Sequence, residues 1–248
     1  MNILVCISRV PDTTTRILVG GDGVSIDTQG VKFIVNPYDE YAIEEGLKLR
    51  EKNGGTVTAI CVGPDSAKEQ LRTALAMGVD KAVLVKTDKS FDSFFVAKNI
   101  SSIAKELNPD IILLGRQSID YDSFQLPSYL AELLELPSVS VVSKLTIEGN
   151  KVTAERDVEG GKEIVETELP CIISAQKGLN EPRYPKLPDI MKAKSKPIEE
   201  KQPLETENKV TILGMEIPSR KRIGKILSDS DADIDEIVKS LHEEAKII

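Results

Sequence analysis

Residues 3–142 predict an α/β fold: a doubly wound, mostly parallel sheet with helices on both faces. Three observations carry that reading. Short apolar runs at 3–7, 57–62, 82–85, 111–114 and 139–142 have the length and composition of strands buried on both faces. The stretches between most of them carry apolar residues near helical spacing, so strands and helices alternate. The crossovers this alternation requires are right-handed, and a strand order of 3-2-1-4-5 then puts the first and fourth strands side by side where the order reverses. Ligands of such sheets bind at the carboxyl ends of the strands around that reversal.

The first strand, Ile3-Leu4-Val5-Cys6-Ile7, leaves into a polar loop from Ser8 to Thr15. Residues 17–19 and 24–26 flank Gly20-Gly21-Asp22-Gly23, a hairpin signal. A third extended piece at 31–35 ends at Asn36-Pro37; the residue before proline is pushed out of helical angles, so a helix begins after it. Over 38–50 that helix puts Ala42, Gly46 and Leu49 on one face. Asp39, Glu40, Glu44 and Glu45 fall in its early turns, where acidic side chains suit the helix dipole. Asn53-Gly54-Gly55 stops it. After the strand at 57–62 and Gly63-Pro64, Asp65 is placed to cap a helix carrying Leu71, Ala74, Leu75 and Met77. Gly78 closes it with a left-handed stop. The strand at 82–85 leads to a helix over 92–107 with Phe95, Val96, Ile100, Ile103 and Leu107 near helical spacing.

The stretch from Asp110 to Leu134 organises the rest. A buried strand at 111–114 is stopped by Gly115, and Pro127, suited to a first helical position, opens a short helix over 128–134. Between them a polar loop holds Asp120, Asp122, Ser123 and Gln125. Strand, polar loop and helix N-terminus is the layout that cradles an anion or a nucleotide phosphate. An ordinary strand-to-helix connection runs about 2–6 residues, and this one is longer. The loops after residue 7 and after residue 114 are thus the two most ligand-like.

After Ser143 the pattern changes. Residues 145–147, 152–156, 163–168 and 171–174 read as strands, with Gly149-Asn150 and Gly160-Gly161 as turns. Charge mixed with apolar residues over 151–157 and 162–168 marks an exposed antiparallel sheet. From 181 to 218 the chain carries six of its thirteen prolines and little that could pack as a core, which reads as an extended arm. A short amphipathic helix over 231–245 ends the chain, with Ile234, Ile237, Val238 and Leu241 in one stripe. Such a stripe needs this chain or a partner to dock on.

Composition narrows the function classes. The 248 residues suit one large domain, or one domain with extensions, and 40% hydrophobic with 29% charged is ordinary for a soluble globular protein. No apolar run has membrane-spanning length and no signal-peptide pattern opens the chain, so the cytoplasm is the default and no membrane embedding is expected. Cys6, Cys61 and Cys171 are odd in number, form no CxxC pair and sit in apolar runs, as small core residues do. One histidine, His242, leaves little room for histidine catalysis or multi-histidine metal sites. A net charge of −8 argues against general nucleic-acid binding. The charge is uneven: 177–225 holds twelve Lys or Arg against seven Asp or Glu, a net +5, leaving −13 elsewhere. That split suggests an interaction segment on an acidic body.

Four segments resemble the electron transfer flavoprotein beta subunit family: Asn36-Pro37-Tyr38-Asp39-Glu40, Leu71-Arg72-Thr73-Ala74-Leu75-Ala76-Met77-Gly78-Val79-Asp80, Gly115-Arg116-Gln117-Ser118-Ile119-Asp120, and Leu179-Asn180-Glu181-Pro182-Arg183-Tyr184 continuing through 190–194 as Ile-Met-Lys-Ala-Lys. The likeness spans nearly the whole chain. It implies the adenine-nucleotide-binding type of α/β fold over 1–178, a partner recognition loop at 179–194, and a C-terminal arm and helix at 195–248 that contact a partner subunit. It also implies a heterodimer whose alpha subunit holds the redox-active FAD, while this subunit is no enzyme but binds a structural AMP, shapes the FAD site and docks dehydrogenases. The electrons would come from acyl-CoA or other flavin dehydrogenases and go to electron transfer flavoprotein–quinone oxidoreductase or a similar acceptor. By position the nucleotide residues are Cys6, Asn36, Tyr38, Asp39, Val62, Asp120, Asp122, Ser123, Phe124, Gln125, Leu126 and Pro127. The docking residues are Tyr184, Leu187, Ile190, Met191 and Lys192, with Leu187 as the anchor.

The sequence also departs from the family. The long loop usually runs Gln-Thr-Gly or Gln-Val-Gly, and here it is Gln125-Leu126-Pro127. Leu126 has no hydroxyl and Pro127 no N–H, so two phosphate donors are missing, with Ser123, Gln125 and Ser128 as partial replacements. Thr13 falls where some members place an aromatic residue against the flavin. Two alternatives stay open at this level. One is an electron-bifurcating beta subunit with its own FAD. The other is a stand-alone nucleotide-binding sensor or small kinase, against which stands the lack of a Gly-Lys-Ser/Thr phosphate loop.

Overall fold

The computed structural model describes residues 1–89, 91–218 and 224–247, so Arg220, Lys221 and Arg222 of the basic stretch lie outside the described residues. The alternating half of the chain folds as its pattern predicts. Strand β1 (Asn2–Cys6) is followed by a small antiparallel pair, β2 (Arg9–Pro11) and β3 (Phe33–Val35), then α1 (Pro37–Asn53), β4 (Thr56–Gly63), α2 (Lys68–Met77), β5 (Lys81–Lys86), α3 (Ser93–Leu107), β6 (Ile111–Gly115) and α4 (Leu126–Leu134). The loop expected after β1 therefore contains a strand, because Arg9-Val10-Pro11 pairs with Val35-Ile34-Phe33. The hairpin signal at 20–23 is met by a bridge between Val19 and Ile26. Gly78 ends α2 at φ 121, but Asp65 caps nothing. Its carboxylate instead takes salt bridges from Lys68 and Lys86, each at 2.7 Å, and these hold its pKa down at about 2.

The second half rearranges the expected order. β7 (Ser138–Glu148), β8 (Lys151–Val158), β9 (Gly161–Glu168) and β10 (Cys171–Ala175) complete a sheet ordered β11-β5-β4-β1-β6-β10-β7-β8-β9, with β11 (Glu199–Lys201) at its far edge. The runs at 139–142 and 145–147 are one strand, and β10 inserts between β6 and β7 instead of joining the antiparallel extension. Burial explains both. All five residues of β10 are buried, so it belongs mid-sheet; β7 is only partly buried and can leave the core to pair antiparallel with β8. The change of partner occurs at an irregularity near Val141, at φ 63, whose N–H bonds Ser174 Oγ at 3.0 Å.

Alternate residues of the central strands face opposite layers. Ile3 and Val5 pack with Ile43, Leu47, Leu71 and Leu113 under α1 and α2. Leu4 and Cys6 pack with Ile60, Ile100, Ile112 and Leu130 under α3 and α4. All three cysteines are buried and free, and burial pushes their thiols up, Cys61 and Cys171 to about 12. They are core residues, as their apolar settings suggest.

The arm is only partly extended. Residues 187–195 form α5 (Leu187–Ser195), Ala193 is buried, and β11 extends the parallel sheet beside β5. Beyond it the chain is stitched to its own body. Asn99 Oδ1 accepts from Leu204 N, Asp92 Oδ2 from Val210 N at 2.9 Å, and Gly23 O from Met215 N at 2.8 Å. α6 (Asp231–Lys239) follows, capped by Ser230, with no buried residue in it. Among the described residues no helix is long and apolar enough to cross a membrane.

Candidate functional site

β1 and β6 are parallel neighbours at the strand-order reversal, so their exits open on the same edge of the sheet. The first turn of α1 ties these exits together. Asp39 Oδ2 accepts from Ser8 N at 2.7 Å, just past β1, and its Oδ1 accepts from Gly115 N at 2.9 Å, at the end of β6. Asn36 works beside it: Nδ2 donates to Gln117 O at 2.8 Å and Oδ1 accepts from Ile119 N at 3.2 Å. Both side chains are buried. Burial lifts the Asp39 pKa to about 7 against the opposing bonds from Asn36, Ser8 and Gly115, and the nearby Asp120 charge raises it further.

Gly115 is required by this junction. A Cβ there would stand 2.4 Å from Asp39 Oδ1 and 2.7 Å from Tyr38 Cβ. Gly115→Ala is therefore expected to cost about 1–3 kcal/mol by overpacking, read as a lowered thermal midpoint. A variant as stable as the parent would mean that α1 can move away from β6 at no cost.

The long loop lies over this junction. The Arg116 guanidinium carbon stands 5.0 Å from the ring centres of both Tyr38 and Phe124, and its Nε donates to Gln117 Oε1 at 2.7 Å. Asp122 and Phe124 hold positive φ, 50° and 55°, which side-chain-bearing residues adopt at a cost. Asp122 N bonds Ser118 O, and Ser123 Oγ lies 3.2 Å from Ser93 Oγ at the start of α3. Asp120, Asp122, Phe124 and Gln125 are exposed; Leu126 is half-buried and Pro127 buried.

The expected nucleotide residues therefore divide. Asn36, Tyr38, Asp39 and the 120–127 loop are brought to one edge of the sheet. Cys6 and Val62 lie beneath, buried at the carboxyl ends of β1 and β4, and their side chains belong to the core under α3 and α4. The side-chain oxygens of Asp39 and Asn36 are occupied in joining loops. Arg116, which the sequence reading did not single out, supplies positive charge; its signal was its place directly after the glycine that ends β6.

A phosphate fits the donors present. Gln125 gives α4 no side-chain cap, and the Leu126 and Ser128 N–H groups have no carbonyl partner within the helix. The Ser123 and Ser128 hydroxyls add donors. The exposed Asp120 and Asp122 carboxylates suit hydroxyl donors such as a ribose rather than phosphate.

The segment at 179–194 is half loop, half helix. Pro188 and Asp189 in the first turn of α5 are helix-start features, so Leu187 begins a helix rather than riding a proline-framed loop. Tyr184 is 93% exposed, Leu187 73%, Met191 58% and Ile190 37%, with Lys192 exposed beside them.

Comparison with known proteins places this arrangement. The model of the electron transfer flavoprotein domain matches residues 23–205. Over the full length of both chains, the sequence is 42% identical to the electron transfer flavoprotein subunit beta of Bacillus subtilis and 39% identical to that of Bradyrhizobium diazoefficiens. It is 38% identical, again over both full lengths, to the mitochondrial subunit beta of Oryza sativa subsp. japonica. With the domain model covering most of the chain and relatives aligning end to end, the chain belongs to the electron transfer flavoprotein beta subunit family.

Proposed function

We propose that this chain is the non-catalytic, nucleotide-holding subunit of a cytoplasmic electron carrier, paired with an alpha subunit that carries the FAD. When bound, FAD supplies the electron-carrying chemistry. This chain's residues bind, orient and dock. The observation that carries the reading is the Asp39–Asn36 junction, which joins the β1 and β6 exits at the root of the loop that leads to the uncapped start of α4. In this reading the α4 N–H groups with Ser123, Ser128 and Arg116 hold the AMP phosphate, and Asp120 or Asp122 receives the ribose hydroxyls. Tyr184, Leu187, Ile190, Met191 and Lys192 meet acyl-CoA or other flavin dehydrogenases. Electrons then pass to a quinone oxidoreductase or similar acceptor. The C-terminal helix covers part of the alpha subunit.

The test is the cofactor content of the native heterodimer. About one flavin and one AMP per pair are expected on denaturing extraction. Two flavins with no AMP would identify a bifurcating carrier, and release of no adenine nucleotide would remove the nucleotide role from this subunit.

A further inference from the structure

We infer that the docking segment is suspended, and that two arginines at its ends, Arg183 and Arg72, set its pose. This rests on the reading of 184–194 as the surface that meets a dehydrogenase. At the leading end Arg183 grips α1. Its Nε and Nη2 donate to the two Glu44 oxygens at 2.8 and 2.9 Å, its backbone N to Glu44 Oε2 at 3.1 Å, and its Nη1 to Glu51 Oε1 at 2.6 Å. Asn180 Nδ2 adds bonds to Tyr41 O and Glu45 Oε2, at 3.0 and 2.9 Å. At the trailing end Arg72 of α2 donates to Ala193 O at 2.8 Å, and Lys196 Nζ reaches Val79 O at 2.9 Å.

Between the clamps packing is incomplete. A cavity of about 280 Å³ separates Thr73 and Ala76 of α2 from Pro185 and Ile190 of the segment. That cavity opens to solvent, and within the segment only Ala193, at its trailing end, is buried in the core. The outward side chains Tyr184, Leu187 and Met191 depend on the ends for their position. Exposed ion pairs contribute little, but the Glu44 side chain is only 4% exposed and Arg183 meets it as a two-pronged fork, a geometry that lysine cannot reproduce. Leu187 is four residues past Arg183, so a displaced clamp displaces the anchor. Arg183 is thus a positioning residue for docking to a partner with an apolar pocket and an acidic rim facing Lys186, Lys192 and Lys194.

The experiment uses the intact heterodimer with a flavin dehydrogenase, measuring steady-state transfer against carrier concentration. Glu44→Gln with Arg183→Met removes the pair without stranding a buried charge. It is expected to raise the apparent KM about tenfold while kcat and flavin content hold. Leu187→Ala raises KM on its own, and adding it to the pair variant gives less than the product of the two effects. An unchanged KM in the pair variant beside a raised one in Leu187→Ala overturns the clamp and leaves docking standing. No effect of Leu187→Ala overturns the docking reading itself. A fall in kcat and flavin content together with KM overturns the clamp as well, because the role is then structural. If the pair variant does not fold, Glu51→Gln removes only the exposed partner; a rise in KM of about two- to threefold supports the clamp, and no rise overturns it.

Discussion

Asp39→Asn is expected to destabilise the chain by about 1–3 kcal/mol at pH 5, and by less at pH 8. The asparagine amide turns an N–H toward Ser8 N or Gly115 N, so one buried donor loses its acceptor. The pH dependence follows from the raised Asp39 pKa, about 7 against an ordinary 3.8. Burial favours the neutral carboxyl in the folded chain, so the folded state binds more protons than the unfolded state across that window. The contribution of Asp39 is fully present below the unfolded pKa and is lost as pH rises toward about 7, with a slope of up to about 1.4 kcal/mol per pH unit. Asparagine does not titrate, so its cost relative to the parent shrinks as pH rises. Denaturant unfolding of both proteins at several pH values measures this difference and cancels the titration of Glu40 and Glu45, whose pKa values burial also raises. Parallel stability curves would show that Asp39 stays ionised and that its two N–H bonds outweigh burial.

The same residue shows how much of the site was legible. The family resemblance named Asn36 and Asp39 as nucleotide residues, and in the structure both side chains are engaged in tying the β1 and β6 exits together. Local signals sufficed for the alternation from β1 to β6, since each strand and helix announces itself within its own residues. The insertion of β10 between β6 and β7 is settled by which strand is buried on both faces, a non-local property, so the order 3-2-1-4-5 lacked that strand. The prolines of 181–218 read as an extended arm, although Pro188 and Asp189 are equally a helix start, and the buried Ala193 with its carbonyl bonded by Arg72 of α2 holds the end of that helix on the body. The Arg183–Glu44 contact joins residues 139 apart, and nothing local reports it.

Removing residues 225–247 is expected to weaken the heterodimer by a hundredfold or more, about 2.7 kcal/mol. Ile234, Ile237 and Val238 are 48%, 42% and 51% exposed, and α6 has no buried residue. A nine-residue helix continued by a five-residue π turn over Ser240–Glu244 is marginal on propensity alone, whatever its Ser230 cap and the Asp231 and Asp233 of its first turn contribute. Covering the remaining apolar surface of three branched side chains and Leu241 is worth about 1 kcal/mol each, at roughly 25 cal/mol per Å². The body does not depend on the tail for its core, since both buried clusters draw their members from residues before 200. The shortened chain should therefore keep its unfolding midpoint while losing its partner. Sedimentation of co-expressed alpha subunit with the shortened chain reads this directly, and Ile234→Asp with Ile237→Asp in the full chain is the finer version. A shortened chain that stays paired at nanomolar concentration, or one that melts early with its stripe found against the sheet, would place the helix on this chain's own body.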